Sequence, residues 1–339
     1  MKTAVVLFNL GGPSSPESVQ PFLFNLFNDA AIIGLPQPLR WLLAKLISAR
    51  RAPIARDIYA VMGGSSPLLA NTMAQAEGLE ARLGEGFKTF VAMRYWHPRA
   101  DVQIAAVKAW QPDQILLVPL YPQYSTTTTG SSIAEWLKLG KRAGLTAPSS
   151  EICCWPVLPG FVAAVAEGVR DALARLPVDG PRRVLFSAHG LPKKVVAAGD
   201  PYQNHVERSV AAVVAALAMP ELDWQICYQS RVGPLEWIGP ATDAEIARAG
   251  AEGVSLVVTP IAFISEHSET LVELDHEYRS LAERSGVPAY ERVATAGIHG
   301  QFLDDLAGLI RARSASPVPC ASAELDWRCA AGFPRCGRN

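Results

Sequence analysis

The chain alternates short, continuously apolar runs with longer Ala-rich segments of helical period, and this alternation restricts its fold more than any other feature. The runs are Ala4 to Phe8, Thr89 to Met93, Gln114 to Pro119, Arg183 to Ser187, Gln225 to Tyr228 and Val254 to Pro260. Strands with no polar face belong in parallel sheets that helices cover on both sides. The expected class is α/β, doubly wound. VVLFNLGGP at the start is echoed by VLFSAHGLP in the second half, each a strand entering a turn with Gly and Pro, so two similar βαβ domains are expected. The length of 339 residues agrees, because single cores stop growing near roughly 250–300 residues. Pro156, Pro159 and Gly160 punctuate the middle. They suggest an N-terminal domain over 1–155 and a C-terminal domain over 156–310, with a cysteine-rich tail over 311–339.

Charge and hydropathy narrow the function. With 31 Lys plus Arg against 32 Asp plus Glu, the chain lacks the basic excess that binding nucleic acid requires. At 49% hydrophobic residues it is too apolar for disorder. The start, MKTAVVLFNLGGP, has no small-residue cleavage pattern and reads as a strand rather than a leader. No run reaches the roughly 18 apolar residues of a spanning helix. Six cysteines are too few for a disulfide scaffold, and a cytosolic location is expected. Leu39, Leu42, Leu43, Leu46 and Ile47 follow helical spacing beside Arg40, Lys45, Arg50 and Arg51. That pattern suits a helix lying on a membrane surface, and equally one packed on the core.

In open parallel sheets ligands bind beyond the carboxyl ends of the strands. Gly11 and Gly12 follow the first strand without forming a G-x-G-x-x-G fingerprint, and no P-loop occurs. His189 directly follows a strand and precedes Gly190, Leu191 and Pro192. There it can act as a proton acceptor or metal ligand, or simply bond the turn backbone. In SEHSETLVELDHEY, Glu266, Glu269, Glu273 and Glu277 recur at helical spacing, with His267 and His276 beside them. A solvated face is the ordinary explanation for such a stripe. This one has no interleaved cation, and carboxylates with histidine also suit divalent ions. Three further loops, RYWHP, YPQYSTTTTGSS and CYQSRVGPLEWIGP, place large aromatics beside turns, as the wall of a flat apolar ligand site would.

Taken together, VVLFNLGGP, MGGSSPL, MRYWHP, LYPQYSTTTTGSS, LFSAHGLPKKVVAAGDPY, CYQSRVGP and TPIAFISEHSETLVELDHEY resemble the ferrochelatases over about residues 1 to 310. The resemblance implies two Rossmann-like, chelatase-type domains with a cleft between them. It also implies a lyase that inserts ferrous iron into a porphyrin, the last step of haem synthesis. His189 would hold the place of the catalytic histidine and Glu269 that of the essential glutamate, with Glu273, Glu266 and His267 continuing the metal site. Arg94, Tyr95, Tyr124, Ser125, Ser131, Ser132 and Trp237 would contact the porphyrin or its propionates. Leu10 stands where the coproporphyrin-using members tend to carry tyrosine, so protoporphyrin IX is the expected substrate. A porphyrin carrier without metallation, and insertion of cobalt or nickel, are the competing readings.

Some members of the family bear a [2Fe-2S] cluster, for which Cys320, Cys329 and Cys336 in the tail supply three thiolates of the usual four. The threonines of YSTTTTG exclude the animal-type fourth ligand. Cys153 or Cys154 is the substitute, and because adjacent strand residues face opposite ways, one of the two is expected to reach the tail. A zinc site is the alternative. Resemblance to cluster-bearing members also implies a homodimer, and the amphipathic helix implies peripheral contact with the inner membrane.

Overall fold

The apolar runs form strands whose side chains are covered on both faces; all seven residues of the first strand are buried. In the computed structural model, which describes residues 1–231, 233–317, 320–322 and 333, the strands are β1 (Thr3–Asn9), β2 (Phe87–Met93), β3 (Gln114–Pro119), β4 (Ser149–Cys154), β5 (Arg182–His189), β6 (Asp223–Gln229), β7 (Ser255–Pro260), β8 (Tyr290–Arg292) and β9 (Cys320–Ser322). They make two sheets, ordered β2-β1-β3-β4-β9 and β6-β5-β7-β8, with every pairing parallel. The first four strands of each half therefore repeat one order, and the expected α/β, doubly wound class with two similar units is what the chain adopts. In each sheet the order reverses beside the first strand of the half, β1 or β5, and such a reversal opens a crevice at the carboxyl ends. His189 ends β5, as Asn9 ends β1.

One apolar cluster runs through both halves, joining Val5, Leu7 and Val118 to Val184, Phe186 and Val257. The helix Pro159–Arg175 and the late helix Gly300–Ala315 pack closely within it: a Cβ built on Gly160 would lie 2.3 Å from the Gln301 carbonyl oxygen. Glycine is what permits that approach. After the late helix the chain returns to the first sheet, where β9 pairs with β4. No described helix is long and apolar enough to cross a membrane.

Candidate active site

The end of β5 carries His189 to the mouth of the second sheet, where its Nδ1 lies 2.8 Å from Glu269 Oε2. The backbone holds it there: the Tyr202 hydroxyl donates to the His189 carbonyl at 3.0 Å, and the Gly190 N–H donates to the Gln229 carbonyl at 2.8 Å. A Cβ on Gly190 would meet Gln229 O at 3.0 Å and Trp237 Cε3 at 3.2 Å, so glycine lets Trp237 pack beside the histidine. The His189 side chain is 41% exposed at this mouth.

Glu269 opens a ten-residue π-helical segment, Glu269–Tyr278. Segments with i→i+5 bonding are rare and concentrate at functional sites. Within this one, Glu273 turns toward the end of β6. It accepts from Ser230 N and Oγ at 2.8 and 2.5 Å, from Gln229 Nε2 at 3.0 Å and from the Tyr278 hydroxyl at 3.0 Å. Gln229 Nε2 also donates to the Glu269 carbonyl at 2.9 Å. Ser230 does this from a left-handed backbone conformation, φ 59°, which is uncommon for a residue with a side chain.

These contacts set the charges. Burial alone would raise the Glu269 carboxyl, but the His189 ring, then His267 and Ser230, outweigh it and hold it at about 2. Burial opposes a charged His189 as well, yet Glu269 and, more weakly, Glu273 raise its pKa. Burial and the neighbouring Glu269 charge raise Glu273 against the pull of Ser230 and Gln229. Each member of the pair thus favours the charged form of the other, beside a carboxyl that protonates more readily than usual. His267 stands 4.0 Å from Glu269 through Nε2, while its Nδ1 lies 3.0 Å from the Ser265 carbonyl oxygen.

Glu266 behaves differently from the acidic stripe expected of it. It precedes the π segment, and its Oε1 accepts from Arg292 Nη1 at 2.6 Å and from the Thr295 N–H at 2.9 Å. The wider π turn starts only after it, so α-helical spacing misplaces Glu266, while Glu277 is exposed.

The first half brings Leu10 and Tyr95 into one apolar cluster with Tyr59, Val19 and Phe22. Burial and the Glu269 charge raise the Tyr59 hydroxyl to about 12 against a hydrogen bond with Ser268, so this cluster adjoins the glutamate. Arg94 does not project as a free cation. It donates to Asp29 Oδ2 at 2.7 Å, Glu135 Oε1 at 2.9 Å and Ser131 Oγ at 2.8 Å. Asp29 also accepts from Tyr95 OH at 2.8 Å and Ser131 Oγ at 2.5 Å. Burial raises the Asp29 carboxyl, but Arg94, Ser131, the Ala31 N–H and Tyr95 together lower it. A hub of this kind was invisible in sequence, because Asp29 stands alone in NLFNDAAIIG.

Other candidates are held by contacts within the protein. Tyr124 is buried against Cys153, Cys154 and Cys320, with its N–H donating to His205 Nδ1 at 3.1 Å. Ser125 donates to the buried Asp200 at 3.1 Å, and Ser132 is buried. The opposite-face expectation for the cysteine pair fails: Cys153 Sγ and Cys154 Sγ lie 3.6 Å apart in one cluster with Cys320. The cause is an irregularity in the β4–β9 register between Ile152 and Cys154, since such bulges re-aim a side chain. Cys329 and Cys336 lie outside the described residues. Among the described residues no group of three or more His, Cys, Asp or Glu is arranged to hold a metal ion.

Comparison with known proteins places this geometry. The Ferrochelatase family model matches residues 2–314. The Ferrochelatase of Caulobacter vibrioides is 51% identical over 340 residues, covering 99% of this chain and 97% of that one. That of Phenylobacterium zucineum is 53% identical, covering 99% and 98%, and that of Wolbachia pipientis wMel is 50% identical, covering 91% and 98%. Among solved structures, SirB from Bacillus subtilis with Fe3+ superposes with a TM-score of 0.56 at 13% identity, covering 94% of this chain and 98% of that one. The structural likeness is one of fold alone. Half identity along nearly the full length of several curated relatives goes further, and the chain belongs to the ferrochelatase family.

Proposed function

We propose that this chain inserts ferrous iron into protoporphyrin IX to give protohaem, the last step of haem synthesis, and that the reaction takes place where His189 meets Glu269. The observation that carries the reading is the 2.8 Å contact between these two side chains at the carboxyl end of β5, with Glu273 on the same π segment. Metallation removes two pyrrole protons as the ion enters. It needs a base at the ring and carboxylates near the ion. His189 accepts a pyrrole proton through Nε2, and Glu269 stabilises the imidazolium that forms. Glu273, whose pKa is raised, takes the second pyrrole proton and passes it to solvent, and His267 completes the donors around Glu269. A carrier would need the apolar walls but no such pair.

Leu10, Tyr95 and Trp237 are read as walls for the macrocycle. Arg94 and Ser131, held by Asp29, shape the wall rather than bind a propionate. Leu10 has no donor for iron, which favours protoporphyrin over coproporphyrin III. The halves 1–155 and 156–310 serve as the two sides of the cleft. A [2Fe-2S] cluster on Cys320, Cys329, Cys336 and one of Cys153 and Cys154 is part of the proposal, supported by the gathering of three of these thiols. A cytoplasmic enzyme touching the inner membrane is supported by Leu39, Leu42 and Leu46, each at least half exposed, beside Arg40 and Lys45. A homodimer is proposed from the family resemblance.

The test is anaerobic incubation of purified protein with ferrous iron and either porphyrin. Haem absorbance should rise with protoporphyrin IX, and faster than with coproporphyrin III. Porphyrin binding without haem formation would establish a carrier instead.

A further inference from the structure

The two carboxylates assigned to the reaction depend on a π segment far longer than the single turn in which this geometry usually occurs. Arg292, on β8, supplies a restraint. Its side chain is 11% exposed. Nη1 donates to Glu266 Oε1 at 2.6 Å, while Nη2 and Nε fork onto Asp275 Oδ2 and Oδ1 at 2.5 and 3.0 Å. Glu266 lies just before Glu269 and Asp275 just after Glu273. One guanidinium thus ties the approach of the segment to its middle and brackets both reacting carboxylates. The first half grips the same approach: Asn71 Nδ2 donates to the Glu266 carbonyl at 3.1 Å and Gln75 Nε2 to the Ile264 carbonyl at 3.0 Å.

We infer that Arg292 is a positioning residue for metal insertion: by clamping Glu266 to Asp275 it fixes the π segment so that Glu269 stands against His189 and Glu273 against Ser230. Glu266 serves this clamp and not the iron. Exposed single ion pairs contribute little, but this one is largely buried and bidentate, and lysine cannot reproduce the fork. The neighbouring Arg175–Glu291 pair, 2.8 Å apart and also ending on β8, is far more exposed and serves as the control.

The inference rests on the iron-insertion reading for its kinetics but not for its structural readout. Amide hydrogen exchange over residues 264–278 and steady-state iron insertion are measured for the full chain and for Arg292→Met, Arg292→Lys, Glu266→Gln and Arg175→Met. Arg292→Met should exchange faster in that segment and lose about 10- to 100-fold in kcat, the scale of an ångström misplacement. The porphyrin KM should stay within about twofold, as expected when binding is spared. Arg292→Lys should fall between Arg292→Met and the parent. Glu266→Gln should lower kcat without changing the iron KM, and Arg175→Met should match the parent. Should Arg292→Met not fold, Arg292→Lys and Asp275→Asn carry the test. Parental exchange and turnover in both Arg292 variants, or in the two substitutes, would overturn the clamp. So would a Glu266→Gln variant changed only in its iron KM. A parent protein inactive with iron would defeat the functional reading, and exchange would still decide the clamp.

Discussion

At 2.8 Å, His189 and Glu269 each fix the other's protonation, and the consequence can be read as stability. The raised His189 pKa contributes stability that is complete below the ordinary histidine value of 6.5 and is lost as pH rises through the raised value. The lowered Glu269 pKa contributes stability that is complete above 4.5 and is lost as pH falls toward about 2. The thermal midpoint of the parent should therefore exceed that of Glu269→Gln by most between about pH 4.5 and 6.5. The gap should close on both sides. A gap that is flat with pH, or widest above the raised histidine value, contradicts the paired state. Both residues were legible in sequence, because one ends a strand and the other stands in a cation-free acidic run. Asp29, Arg292 and Ser230 were not, since their roles come from contacts between distant segments: Asp29 meets Ser131, and Arg292 meets Glu266.

Elements repeat the pattern. Six of the strands announced themselves as apolar runs, whereas β4 opens on Ser149, Ser150 and Glu151, and β8 is only three residues long. The acidic stripe was read with α-helical spacing, and the π segment preserved Glu269 and Glu273 as neighbours of the site while leaving Glu266 outside. Likewise, strict strand alternation separates Cys153 from Cys154, and a register irregularity against β9 reunites them. Such irregularities answer to tertiary packing, and periodicity carries no trace of them. Helix packing offers a test at this scale. A methyl at Gly160 would meet the Gln301 carbonyl oxygen at 2.3 Å. Gly160→Ala should therefore lower stability by about 1–3 kcal/mol, the usual cost of overpacking. Chemical denaturation measures it, and an unchanged midpoint would mean that the two helices separate freely.

The whole molecule uses one topology twice and assigns the copies different work. β1 and β5 hold equivalent places in their sheets, yet β1 ends on Asn9, which donates to Thr72 at 3.0 Å, and β5 ends on His189. The echo between VVLFNLGGP and VLFSAHGLP made the duplication visible, and the continuous core explains why apolar residues are so abundant. The return of the chain after residue 300 to the first sheet left no sequence signal, because it depends on partners far away in the chain. The central claim is that porphyrin is held between these halves and metallated at the His189–Glu269 pair. It is tested most directly by comparing porphyrin affinity with iron-insertion kcat in His189→Ala and Glu269→Gln. Porphyrin should bind both variants as it binds the parent, while kcat falls by about 10²–10⁴-fold, the usual contribution of a positioned acid–base group. Parental turnover in both variants would contradict the account.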